Sequence, residues 1–196
     1  MKNIVFDLGQ VLFKRDPGKC TPEFIAFFRF IRSQQLPAFW NEYDRGTLSY
    51  EEVIGELCRH NACERAVAEE HLRTAIDRQE PVRATERLIG ELKAAGYRLY
   101  VLSNMSREFI DFLRRFPVYG LFDGEVVSCE EGLCKPEPAI YRLLLDRYGL
   151  DPSQTLFTDD RPDNIEAARA VGMHAVLFDA HDPEATCDEL RRMLLS

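Results

Sequence analysis

No stretch of this sequence stays apolar for long. The longest such run, residues 24–31, is interrupted by Arg29, whereas a membrane helix needs about 20 apolar residues. No spanning segment is therefore expected. The opening MKNIVFDLGQ lacks the extended apolar region and small-residue cleavage site of a secretory signal and already carries Asp7. A soluble, cytoplasmic protein is the expectation. Basic residues are in deficit: 25 Lys and Arg against 33 Asp and Glu give a net charge of −8. That balance argues against broad binding to a nucleic-acid backbone, which needs Lys and Arg. It leaves room for a small anionic ligand, since one cationic pocket is enough. The six cysteines (Cys20, Cys58, Cys63, Cys129, Cys134 and Cys187) contain no C-x-x-C pair, and His60, His71, His174 and His181 show no ligand spacing. Neither a disulfide framework nor a zinc finger is expected. Internal repeats and low-complexity segments are also missing.

What is present suits one globular domain, or one core with a smaller insertion. The chain has 196 residues, 45% apolar and 30% charged. Runs at 3–8, 98–102, 124–127, 155–158 and 174–178 are rich in Val, Ile, Leu, Phe or Tyr. Most lack polar alternation, as parallel strands buried on both faces do. Helical patterns separate the later runs, at 85–95, 106–116, 136–148, 162–171 and 184–194. Gly96 marks a helix end, and Pro136 and Pro162 mark helix starts. Strands alternating with helices of this length imply an α/β parallel sheet with crossovers.

The interval 14–81 breaks that alternation and holds no convincing strand. Phe24, Phe27, Phe28 and Ile31 recur at i, i+3, i+4 and i+7, an amphipathic helix. Ser49 and Glu52 form a capping box ahead of a helix with Val53, Ile54 and Leu57. Another helix is expected over 63–76. The first strand is thus followed by an all-helical insertion. The predicted division is a core of 1–13 and 82–196 with a helical cap of 14–81.

In open parallel sheets, ligands bind outside the carboxyl ends of the strands. The polar residues there are Asp7 after the first strand, Ser103 and Asn104 after the second, and Lys135 along the loop after the third. Asp159 and Asp160 follow the fourth, with Asn164 a helical turn on. Each alone reads as a turn former, a helix cap or a solvated side chain. Two adjacent acids after an apolar strand, however, are costly unless paired or bound to a cation. The joint order at successive strand ends is what carries the signal.

The segments Phe6-Asp7-Leu8-Gly9, Leu102-Ser103-Asn104, Lys135-Pro136 and Phe157-Thr158-Asp159-Asp160, continued by Asn164-Ile165, resemble the four motifs of the haloacid dehalogenase superfamily. The resemblance spans the whole chain. It is nearest to the branch with a helical cap between motifs one and two, which includes sugar-1-phosphatase-like proteins and the phosphatase domain of soluble epoxide hydrolases. YDRGTLSYEEV, residues 43–53, also resembles that branch's cap. The resemblance implies a three-layer Rossmann-like core and a hydrolase of phosphoric monoesters, acting on small phosphorylated metabolites such as hexose 1-phosphate. Asp7 would be the nucleophile, forming an aspartyl-phosphate. Mg²⁺ would sit on Asp7, the Gly9 carbonyl and Asp160. Ser103 would donate to the phosphoryl group, with the Asn104 N–H nearby. Lys135 would balance the charge and orient Asp7, while Asp159 and Asn164 would orient the metal's surroundings. A monomer or weak homodimer is expected, with no nucleic-acid or membrane partner.

One position departs from the pattern. Phosphatases of this superfamily usually carry an acid two residues after the nucleophile, and here that residue is Gly9. Asp16 reaching in, an easier leaving group such as an anomeric sugar oxygen, or a slow enzyme would each account for it. Two other readings stay open: a metal-independent 2-haloacid dehalogenase, and a catalytically weak protein that binds phosphorylated metabolites. Trp40 and Tyr43 are read as packing between helices or as pocket walls. Arg45 is read as a loop residue, either solvated or reaching the substrate.

Overall fold

The computed structural model describes residues 1–33 and 36–195; Gln34, Gln35 and Ser196, which fall within the segments 14–81 and 82–196, lie outside that description. In chain order, β1 (Asn3–Phe6) leads to a two-residue strand β2 (Phe13–Lys14). Helices α1 (Pro22–Phe27), α2 (Ala38–Arg45), α3 (Tyr50–Asn61) and α4 (Arg65–Asp77) come next, closed by β3 (Glu80–Pro81). Then follow α5 (Arg83–Ala94), β4 (Arg98–Ser103), α6 (Arg107–Leu113), β5 (Gly124–Val127), α7 (Ser128–Glu131) and α8 (Pro138–Tyr148). The chain finishes with β6 (Thr155–Asp159), α9 (Pro162–Ala170), β7 (His174–Leu177) and α10 (Pro183–Leu194).

The strands β5-β4-β1-β6-β7 form one sheet in that order, and every adjacent pair in it is parallel. Alternation along β1 sorts the core into two layers. Ile4 and Phe6 pack with Leu88 and Leu92 of α5 and Leu190 of α10. Val5 faces the other way, onto Tyr141 and Leu144 of α8 and Ile165 of α9. Each such fully buried side chain contributes roughly 1.5–3 kcal/mol of hydrophobic stabilisation. This is the α/β, Rossmann-like architecture expected. The register matters for the site. Phe6 lies opposite Val101 of β4 and Thr158 of β6, so Asp7 is level with Leu102 and Asp159.

The helices between β2 and β3 have their own core. Phe24, Phe27, Phe28, Phe30, Trp40, Tyr43, Ile54, Leu57 and Leu72 bury together, and Phe109 of α6 joins them. Trp40 is the hub: its ring centroid lies 5.3 Å from Phe30, 5.7 Å from Tyr43 and 6.4 Å from Phe109. Such edge-to-face pairs add to area burial. The capping box of Ser49 and Glu52 is present at the start of α3.

The structure corrects several expectations. Lys14 and Glu80–Pro81 do carry strand structure, because β2 and β3 pair antiparallel over two residues, too short for any periodicity to show. The amphipathic pattern at 24–31 is split: α1 ends at Phe27 and a 3-10 turn covers Arg29–Arg32. Phe30 is buried as well, and in a straight helix it would fall roughly 110° off the stripe set by its neighbours. β1 stops at Phe6 rather than residue 8, since the chain turns at Gln10, whose φ is +61°. α8 starts at Pro138, not at Pro136. β7 is an edge strand with His174 and Leu177 exposed, rather than buried on both faces. All six cysteines are free thiols, and His60 and His71 rest against Phe30 and Phe27. No helix is long and apolar enough to cross a membrane among the described residues.

Candidate active site

The tips of β1, β4 and β6 bring the predicted polar residues together. Asp7 is only 7% exposed, at the end of the central strand, with its N–H donated to the Thr158 carbonyl at 3.0 Å. Its Oδ1 accepts from the Ser103 hydroxyl at 2.8 Å and from Lys135 Nζ at 2.7 Å. Lys135, 5% exposed, also donates to Asp159 Oδ2 at 2.6 Å and to the Leu102 carbonyl at 2.9 Å. All three of its protons are used. Burial alone would lower the Lys135 pKa, but Asp159 and Asp7 outweigh that and raise it. The ammonium therefore stays charged. Burial raises the Asp7 carboxyl, with Asp159 adding to the effect and Lys135 and Ser103 opposing it.

Asp159 is saturated. Besides Lys135, it accepts from the Arg161 N–H at 2.8 Å and from Asn164 Nδ2 at 3.0 Å on each oxygen. Asn164 lies in the first turn of α9, and Tyr141 of α8 donates to its carbonyl at 3.0 Å. Asp160 sits beside this network, its carboxyl pushed up to about 7 by burial, then by Asp7 and Asp159. Asn104 pins the lysine's loop reciprocally: its Nδ2 donates to the Lys135 carbonyl and its Oδ1 accepts the Lys135 N–H, both at 2.8 Å.

Carboxylate oxygens of Asp7, Asp159 and Asp160 all lie within 4.8 Å of one another. Since Asp159 is fully engaged, the oxygens left for a cation are those of Asp7 and Asp160. The Gly9 carbonyl adds a third, as it accepts no hydrogen bond among the described residues. An all-oxygen set with surplus negative charge suits a hard divalent ion such as Mg²⁺.

Asp7, Gly9, Asn104, Lys135, Asp160 and Asn164 line one side of a cavity of about 560 Å³, a volume suited to a small-molecule ligand. Ile31, Leu36, Trp40, Asn41 and Asp44 approach from the helical segment, and Phe13, Arg15, Met105, Phe109 and Arg161 complete the walls.

Other expected placements change. The Ser103 hydroxyl is turned onto Asp7 rather than into the cavity. Asp16 does not line the cavity; it caps a short turn by accepting the Gly18 N–H at 2.8 Å and stays exposed beside Lys19. It therefore does not replace the acid missing at Gly9. Arg45 is not a loop residue but the end of α2, where it pairs with Glu137 and donates to the Gly132 carbonyl at 2.9 Å. Of the aromatic pair, Trp40 reaches the cavity, while the Tyr43 hydroxyl donates to Glu108 at 2.5 Å.

Asp44 was not foreseen. It lines the cavity, and burial pushes its carboxyl up to about 8. The structure puts it in the last turn of α2, where the macrodipole disfavours negative charge, a signal that needs the helix over 38–45 to be known first. Gln10, Asn41 and Gln79 also line the cavity with no sequence signal that singles them out.

Residues 1–172 match the haloacid dehalogenase-like hydrolase family. The sesquiterpene phosphatase astK of Aspergillus oryzae is 28% identical over 194 residues, covering 98% of this chain and 96% of that protein. The D-ribitol-5-phosphate phosphatase of Bacteroides thetaiotaomicron is 29% identical over 206 residues, covering 96% and 94%. Other curated relatives are longer, and the chain spans 35% and 19% of two of them. A haloacid dehalogenase-family enzyme from Bacteroides thetaiotaomicron, crystallised as an Asp-to-Ala mutant with magnesium and inorganic phosphate, superposes with a TM-score of 0.72. It is 22% identical, and the match covers 92% of this chain and 95% of that one. Sequence and fold agree over nearly the full length: the chain belongs to the haloacid dehalogenase-like hydrolases.

Proposed function

We propose that this protein is a magnesium-dependent phosphatase of small phosphorylated metabolites, working through an aspartyl-phosphate on Asp7. The observation that carries this reading is the state of Asp7. Lys135 and Ser103 hold its Oδ1, while Oδ2, on the Gly9 side, accepts no hydrogen bond among the described residues. A carboxylate fixed by one oxygen and open by the other is oriented for in-line attack. Attack by Asp7 on phosphorus breaks the bond to the leaving oxygen, and water then hydrolyses the acyl phosphate. Lys135 favours the ionised form of Asp7 against the burial that raises it. Asp159 holds Lys135, and Asn164 with the Arg161 N–H holds Asp159. Mg²⁺ bound by Asp7, Asp160 and the Gly9 carbonyl would offset the repulsion between carboxylate and phosphate.

In this reading residues 1–13 and 82–196 carry the chemistry, and the helical cap of 14–81 closes over it. The substrate is a free small phosphate ester, met in the cytoplasm by a monomer or weak homodimer without nucleic-acid or membrane partners. Two substrate classes follow from two features. The polar lining and the ribitol-phosphate phosphatase relative favour sugar phosphates, hexose 1-phosphate among them. The apolar wall of Ile31, Leu36, Trp40 and Phe109, with the sesquiterpene phosphatase relative, favours a phosphate on an apolar body. A metal-independent dehalogenase would leave the Asp160 carboxylate without work.

The test is hydrolysis of p-nitrophenyl phosphate with Mg²⁺ and with chelator, followed by a panel of sugar and prenyl phosphates. Activity that needs Mg²⁺ is expected. Metal-independent chloride release from 2-haloacids, with no phosphatase activity, would overturn the reading.

A further inference from the structure

Gly9 leaves the cavity without the acid that would protonate a leaving alkoxide, and Asp16 is engaged elsewhere. Resting on the phosphatase reading above, we propose that Asp44 is the catalytic acid and base of this site, delivered across the cavity by the last turn of α2. Its presence makes ordinary alkyl phosphates, and not only activated esters, the substrate class.

Asp44 lines the same cavity as Asp7, Gly9, Lys135 and Asp160. Four consecutive residues lock it there. The Tyr43 hydroxyl donates to Glu108 of α6. The carbonyl of Asp44 itself accepts from the Ser128 hydroxyl, which in turn accepts the Met105 N–H at 2.9 Å. Arg45 pairs with Glu137 and donates to Gly132. Gly46, at φ +80°, lets the turn lie so close that a Cβ would stand 2.4 Å from the Cys129 carbonyl oxygen. These contacts fix the backbone of the last turn of α2, from which Asp44 lines the cavity that Asp7 also lines. A purely structural Asp44 would serve to accept the Ser106 N–H. Asp44 also lines the cavity, which such a role does not require.

The surroundings keep the proton on. Burial is the largest influence, with the field of Asp7 adding to it, and the Ser106 N–H and Lys135 act against them. The thiols of Cys129 and Cys134 and the phenol of Tyr43 also lie within its field, and burial raises all three. The C-terminal dipole of α2 works in the same direction. Burial, the leading cause, does not depend on the charge of Asp7.

The proposed step balances. Asp7 bonds to phosphorus as the bond to the leaving oxygen breaks, and that oxygen takes the Asp44 proton, leaving a carboxylate. The carboxylate then takes a proton from the water that attacks the phosphorus of the aspartyl-phosphate. Inorganic phosphate departs, Asp7 returns to a carboxylate and Asp44 is protonated again.

The test is the first-turnover rate of Asp44→Asn with two esters, p-nitrophenyl phosphate and glycerol 2-phosphate. Asn retains an oxygen for the Ser106 N–H, and thermal unfolding reports whether the fold is kept. The p-nitrophenolate leaving group needs little protonation. Its burst is expected to persist, with phosphorylated Asp7 accumulating, while the alkyl first turnover falls about 10²–10⁴-fold. Asp44→Glu, which restores a proton, is expected to recover part of the alkyl rate. In the unaltered protein, the ratio of alkyl to aryl rate is expected to fall as pH rises through the Asp44 titration. That readout needs no variant, should Asp44→Asn fail to fold. Equal losses on both esters, no loss on either, or a pH-independent ratio would overturn the role of Asp44 and leave the phosphatase reading intact. If the unaltered protein with Mg²⁺ hydrolyses neither ester, the phosphatase reading itself fails.

Discussion

The sheet edge and the helical segment meet at one cavity but are held there by opposite means. At the sheet edge, charge is buried around one cation: Lys135 ties Asp7 to Asp159, and backbone and amide donors complete the shell of Asp159. In the helical segment, an aromatic cluster centred on Trp40 supplies cohesion. Its one acidic contribution to the cavity, Asp44, depends on how the end of α2 docks. The sheet-edge residues are thus placed largely by strand register, whereas Asp44 is placed by a contact between elements far apart in sequence. Perturbing each set should therefore fail in its own way.

The largest effect is expected at the sheet edge. Lys135→Ala leaves Asp7 and Asp159 buried without a counter-charge, at a cost of about 3–5 kcal/mol. For a chain of this length that corresponds to a melting temperature lower by about 6–20 °C. Turnover should be lost, and part of the stability should return at acid pH as Asp7 takes a proton. A Lys135→Ala melt unchanged from the native protein would break the claim that this network is obligatory.

Gly46→Ala should act on the other region and more mildly. Positive φ and the approach to Cys129 predict roughly 1–3 kcal/mol of strain. Hydrogen exchange should show residues 43–46 opening while the sheet remains protected. Loss of protection in β1 or β4 instead would mean that the two regions are one unit.

The smallest effect is a slope. The carboxyls of Asp44 and Asp160 titrate at about 8 and about 7 in the folded chain, against 3.8 ordinarily. Between roughly pH 4 and pH 8 the folded state thus holds more protons than the unfolded one, so metal-free stability falls as pH rises. Asp44→Asn should flatten that slope, and Mg²⁺ should restore stability at the alkaline end by taking Asp160 as a carboxylate. Melting curves across this range, with chelator present, check the sign; a rise with pH would contradict it.

Legibility in the sequence follows the same division. Asp7, Ser103, Asn104, Asp159 and Asp160 are readable because they follow apolar runs, and parallel topology sends such ends to one edge; Lys135 and Asn164, further along a loop and a helix, are readable only from their order among these and from the motif resemblance. The orientation of Ser103 is not, since it depends on a hydroxyl's choice between Asp7 and a ligand. Asp44 stayed hidden because periodicity marks which face of α2 is buried and says nothing of what the helix end touches. Its cost at a helix C-terminus becomes a clue only once α2 is known. The two-residue ladder of β2 and β3 and the exposure of β7 are likewise outcomes of pairing partners rather than of local pattern.

Every role proposed for this site depends on Asp7 taking the phosphoryl group. The most direct measurement is mass spectrometry of the Asp7 peptide after acid quench of the protein turning over p-nitrophenyl phosphate with Mg²⁺. Phosphorylated Asp7 is expected in the native protein, with neither phosphopeptide nor turnover in Asp7→Asn. Sustained turnover by Asp7→Asn, with no phosphorylated Asp7 in the native protein, would contradict it.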